Sequence, residues 1–307
     1  MIMNKFYRTG TELFTIILLF ALFLPGCGGG GEKQKKEVPQ VVQKDVERVQ
    51  EDIKQAERIF NALPTPLESA MLIKNAGASF DRKYLNPIEN QKLYTTTRSM
   101  ALNLGVYTCD LSFASLYDQT QLIIDYMNAA KKMADGLGIL DAINQETITK
   151  LENNINNKEV IMEIISETFL NTNSYLADNN QSAIAAIVLV GGWIEGLYIS
   201  TQLVNLKDFD GNKLVATIID QKLSIDILIN LLDSHKGNPV VDELIGQMSK
   251  LKGVFDKINI QTTPIKTEID RSTNVTILKS KVTTDMSLDT FKELTAVVKE
   301  IRDSFVK

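Results

Sequence analysis

One carboxylate stands where the surrounding residues leave no room for water. Residues 183–199 read AIAAIVLVGGWIEGLYI, seventeen positions in which Glu195 is the only charge. A carboxylate in such a stretch must be paired or protonated, because an isolated buried charge is too costly to keep. Two chemistries follow. A carboxyl held protonated at neutral pH could act as an acid–base or ligand-contacting group. A buried basic or tyrosine partner would instead make Glu195 structural, and that is the more ordinary use of such a residue. Asp110, inside ALNLGVYTCDLSF, raises the same question less sharply. Trp193 and Tyr198 flank Glu195 and read either as core or as the aromatic wall of a pocket. Glu195, Asp110, Trp193 and Tyr198 are therefore the candidate ligand-binding residues.

The remaining reactive residue types are few. His235 is the single histidine and sits in Ser234-His235-Lys236-Gly237, at the end of a helical pattern. A cation there would complement the negative end of the helix. Without a Glu-x-x-His pair, a di-iron bundle is unsupported. Cys109 lies in an apolar helix and reads as a small buried residue; nothing places it beside His235. The chain has no Gly-x-Ser-x-Gly, no phosphate-binding Gly-rich loop and no zinc spacing. No catalytic residue, metal ligand or cofactor is assigned. A formal charge of −5 without a basic stripe excludes nucleic acid as a partner class.

The other cysteine belongs to a different pattern. Lys5 and Arg8 precede LFTIILLFALFL at 13–24, a run with one polar residue. Basic residues followed by an apolar run of this length form a signal peptide, and the run is too short for a membrane span of about 18 or more residues. Pro25 and Gly26 end it, Cys27 follows, and then come Gly28 to Gly31 and EKQKKE. Leu24-Pro25-Gly26-Cys27 resembles the lipobox of bacterial lipoproteins. The resemblance implies that the Cys27 thiol is acylated, that residues 1–26 are removed, and that Cys27 becomes the first residue of the mature chain. Residues 27–37 then form a flexible polar tether. The partner so implied is the membrane, through the lipid on Cys27, with the outer membrane the expected location.

The elements that must position the acids are helical. Val42, Val46, Val49, Ile53, Ala56, Phe60 and Leu63 alternate at spacings of four and three, one apolar stripe on a helix. Thr65-Pro66-Leu67-Glu68 is a capping box with proline at the first helical position. Asn86-Pro87-Ile88-Glu89 repeats that signature. Apolar spacing predicts helices at roughly 93–117, 119–135, 141–156, 158–178, 182–206, 213–234 and 239–258. Ala101, Gly105 and Cys109, and Gly192 with Gly196, place small residues four apart, so that two helices can approach closely. The short β-branched stretches Ile265–Ile269 and Asn274–Lys279 predict a small β-hairpin within 264–280. Ser287 caps a last helix with Phe291, Leu294, Val298, Ile301 and Phe305 on one face.

The expected fold is mainly α: a bundle of eight or nine helices with a small hairpin before the last one, forming a single domain over 38–307. Three stretches, 64–78, 101–113 and 188–200, resemble uncharacterised all-helical bacterial lipoproteins, a resemblance that implies no activity and no catalytic residues. The expected function is a lipid-anchored cell-envelope binding or scaffold protein, with an envelope protein as partner. The alternative is an envelope enzyme or small-ligand binder that uses the buried carboxylates.

Overall fold

The computed structural model describes residues 63–140, 145–262, 266–270, 275–279 and 282–307; the side chains of 145 and 260–284 are not described. The signal peptide, Cys27, the tether and all of the apolar stripe from Val42 to Phe60 lie outside the described residues. All described residues fall within one compact unit, and its architecture is a bundle of helices.

Nine α-helices lie within the described residues. They are α1 (Pro66–Asn75), α2 (Thr97–Leu116), α3 (Thr120–Gly136), α4 (Gln145–Asn153), α5 (Lys158–Asp178), α6 (Ser182–Leu203), α7 (Lys213–Asp233), α8 (Pro239–Phe255) and α9 (Leu288–Val306). Their starts follow local chemistry. Thr65 accepts from the amide of Glu68 at 3.2 Å, and the Glu68 carboxylate accepts from the amide of Thr65 at 2.7 Å, closing the expected capping box. Asn238 caps α8 ahead of Pro239, and Ser287 caps α9. Asn86-Pro87 behaves differently. It precedes only a short 3-10 turn at Ile88–Lys92, and α2 starts later, with Thr96 and Ser99 as its capping pair. The reason is tertiary: the Asn86 side chain is fully buried and used elsewhere.

α6 is apolar all round, and its residues from Ala185 to Thr201 are buried, which makes it the central helix. It is the one helix among the described residues long and apolar enough to cross a membrane, and it is mostly buried inside the protein. Its closest neighbour is α2. A Cβ on Gly105 would lie 2.0 Å from the Val188 carbonyl oxygen, and one on Gly191 would lie 2.0 Å from that of Leu102. The two backbones thus touch along a glycine seam, as the small-residue spacing predicted.

Backbone pairing runs from Asn259 to Asp285, a longer segment than the 264–280 over which a small hairpin was expected. β1 (Asn259–Thr262) pairs antiparallel with β4 (Val282–Asp285), and β2 (Lys266–Asp270) with β3 (Val275–Lys279), in register Asn259 to Asp285 and Lys266 to Lys279. Alternating β-branched residues continue through Val282-Thr283-Thr284, beyond the two stretches read as strands. The core closes on either side of this segment, at the buried Ile258 and Met286. The helices make the fold.

Candidate functional site: a buried carboxyl pair and its arginine

α2, α6 and α9 bring three charged side chains to the middle of the bundle. Glu195 and Asp110 have no exposed surface, and Arg302 is 7% exposed. The Arg302 guanidinium meets Glu195 side-on, Nε to Oε2 at 2.9 Å and Nη2 to Oε1 at 3.0 Å. A two-pronged contact of this kind is the strongest geometry available to an arginine and a carboxylate. The guanidinium also lies over the Tyr198 ring, 4.7 Å from its centre. Burial works against the charged guanidinium, but the charge of Glu195 and the hydrogen bonds to it outweigh that and raise the Arg302 pKa above its ordinary value.

Asp110 is treated differently by its surroundings. Burial, and then the nearby charge of Glu195, hold its pKa well above the usual carboxylate range, against the smaller opposing effects of Arg302 and the Asn86 amide. Its surroundings therefore favour the protonated form of Asp110. Its Oδ2 accepts from the Asn86 amide at 3.0 Å. Its buried Oδ1 has no hydrogen-bond partner. Two buried carboxyls near one another cannot both ionise cheaply, and Arg302 pairs directly with Glu195.

A second layer of hydrogen bonds holds this group. Asn86 donates from Nδ2 to the Tyr94 hydroxyl (3.0 Å) and to Asn103 Oδ1 (3.1 Å), while its Oδ1 accepts from Asn90 and its carbonyl accepts from Tyr126. Asn103 Nδ2 donates to the Phe305 carbonyl at 2.7 Å, and the Tyr94 hydroxyl donates to the Val306 carbonyl at 3.1 Å. The end of α9 is thereby tied to α2 and to the segment before it. Every polar group of Asn86 has a partner, the condition under which a buried polar network stiffens a core instead of weakening it.

The structure brings all four candidates near one another but gives them separate tasks. Glu195 and Asp110 share a cluster. Tyr198 packs under Arg302. Trp193 points elsewhere and donates from Nε1 to Gln221 on α7 at 3.0 Å. Arg302, Asn86 and Asn103 are the members that sequence reasoning missed. Arg302 follows Ile301 in a helix whose apolar face is otherwise regular, so it reads as a surface charge. Both acids are sealed from solvent, and the arrangement holds a buried ion pair.

Of the remaining reactive groups, Cys109 is fully buried and His235 half-buried. Burial, with Asp110 and Glu195 adding to it, pushes the Cys109 thiol pKa up, so it is an unreactive thiol. His235 departs from its expected role: burial lowers its pKa, Nε2 is buried without a partner, and the ring is neutral at pH 7, not a cation for the helix end. No group of three or more His, Cys, Asp or Glu side chains placed to hold a metal ion occurs among the described residues. Comparison with protein-family models, with curated proteins and with solved structures finds no match, so the cluster is read from its own geometry.

Proposed function

We propose that this chain is a lipid-anchored binding or scaffold protein of the bacterial cell envelope, held by lipid on Cys27 with the outer membrane as its location. The observation that carries the proposal is the order of residues at the front: basic residues, a short apolar run, Leu24-Pro25-Gly26-Cys27, and then four glycines in a polar tether. A single acyl chain holds a protein only marginally, and two or more give stable anchoring. The glycines let the folded body stand away from the bilayer.

The body supports a binding role more than an enzymatic one. The two candidate acids are fully buried inside the bundle. Met71 and Leu72 of α1 and Leu223 of α7 stand 39%, 40% and 69% exposed and line a common groove. An apolar surface of that kind is what protein partners cover. The bundle with its extended strand segment is read as a single module behind the tether.

The test is metabolic labelling with a palmitate analogue, wild type beside Cys27→Ser. Label should enter the wild-type protein and be absent from the variant, which should also leave the membrane fraction. Equal labelling of both would end the anchoring proposal. Crosslinking in intact cells, followed by mass spectrometry, identifies the envelope partner; recovery of the protein alone would count against the scaffold reading.

A further inference from the structure

Away from the carboxyl cluster, α2, α3, α4, α5 and α6 line a partly open cavity of about 70 Å³. It shares helices with the cluster but no residue. Protein interiors are packed closely enough that voids of this size are few. Its walls are apolar, with Leu104 and Leu111, Met127, Ile148 and Ile165 among them. An apolar void stays dry instead of filling with water. The volume is about half of the roughly 150 Å³ that admits benzene in an engineered apolar cavity, so it suits a short alkyl chain better than a ring.

One buried polar atom in the wall lacks a partner. Asn173 is 8% exposed and its Oδ1 accepts no hydrogen bond. The orientation of that amide is set, because Nδ2 donates to the Phe169 carbonyl at 2.9 Å. Thr108, also in the wall, gives its hydroxyl proton to the Leu104 carbonyl at 2.7 Å and so presents only lone pairs. Asn173 and Thr108 therefore offer acceptors and ask for a donor. No acid lines the cavity; Lys131, half-buried, is the charged residue in its lining.

We propose that this cavity is a binding site for a small neutral molecule, or the end of a larger one, that is mostly alkyl and carries one O–H or N–H group, with Asn173 Oδ1 as its anchor. A buried acceptor left unpaired is costly, and a ligand donor would remove that cost while the alkyl part fills the void. A free carboxylate would instead set its own acceptors against Asn173. The inference goes beyond the anchoring proposal and does not depend on it.

The experiment is methyl NMR on the full chain in lipid nanodiscs, following the Ile148 and Ile165 signals. The probes are 1-butanol and its isomer methyl propyl ether, which has the same atoms but no donor. The alcohol should shift both signals saturably and bind about fivefold more tightly than the ether, the scale of one hydrogen bond. In Asn173→Leu the ratio should fall to near one, and Ala130→Leu, which fills space, should weaken both probes. If Asn173→Leu fails to fold, the wild-type ratio decides alone. No saturable shift with either probe, or equal affinity for both in the wild type, overturns the proposal. Butyrate binding more tightly than butanol, and losing that advantage in Lys131→Met, would overturn it in favour of an anionic ligand.

Discussion

Glu195 and Asp110 are both buried carboxyl groups on neighbouring helices, yet they respond differently to substitution. Removing Glu195 leaves the Arg302 guanidinium buried without its counter-charge. Glu195→Ala should destabilise the protein by about 3–5 kcal/mol, the cost of breaking a buried ion pair from one side. Glu195→Gln keeps the shape and one acceptor and should cost less; urea unfolding of both variants measures the difference. Asp110→Asn should be mild, since the amide oxygen can still accept from the Asn86 amide. Its effect depends on pH with a definite sign. The folded-state pKa of Asp110 is raised, so its favourable contribution is complete below the ordinary aspartate pKa of about 3.9 and is lost as pH rises toward the folded value. The variant, which cannot ionise there, should gain on the wild type as pH increases from about 4 to 7. Unfolding free energies at several pH values check this; a constant difference would mean that Asp110 is ionised in the fold. The charge on Glu195 could be read as a problem in need of a partner from the residues around it alone. The identity of the partner could not, because Arg302 lies 107 positions away on a helix whose own pattern is complete without it.

Helices meet here by two kinds of glycine, and the distinction is testable. Gly105 and Gly191 sit in the seam between α2 and α6, where an added methyl would be driven into backbone carbonyls at 2.0 Å. Backbone cannot rotate away as a side chain can, so Gly105→Ala or Gly191→Ala must push the helices apart and should cost about 1–3 kcal/mol or more. Gly246 and Gly253 lie on α8, where an added methyl would meet nothing within 4 Å. There alanine only improves helix propensity, and each substitution should stabilise by about 0.4–1 kcal/mol. Thermal unfolding of the four single variants separates the two classes; a stabilised Gly105→Ala would mean the seam is looser than described. Small residues four apart were readable as a close approach because that pattern is local to one helix. Caps were readable for the same reason, as at Thr65 and Asn238. Asn86-Pro87 shows the limit: its two residues match those of Asn238-Pro239, and only the burial of the Asn86 side chain against Tyr94 and Asn103 makes one a hub and the other a cap. The cavity beside Asn173 was illegible for a related reason, since five separate helices contribute its wall.

Taken whole, the molecule depends on α9 to an extent that its place beyond the strand segment does not suggest. Phe291, Leu294, Val298, Ile301 and Phe305 enter the core, Arg302 neutralises Glu195, and the carbonyls of Phe305 and Val306 accept from Asn103 and Tyr94. A chain truncated after Asp285 should lose its cooperative unfolding transition, because a lost apolar face and an orphaned buried carboxylate together rival the 5–15 kcal/mol that typically holds a domain. Circular dichroism would then show residual helix without a sharp melt; a truncated chain that melts cooperatively near the wild-type temperature would show that α9 is dispensable. The separation between Glu195 and Arg302 also has a meaning in time. Until α9 docks, the carboxyl groups on α2 and α6 have no guanidinium beside them, and burying Glu195 would leave it without its counter-charge. A bundle formed from the helices before α9 therefore carries a costly centre, and the docking of α9 removes that cost.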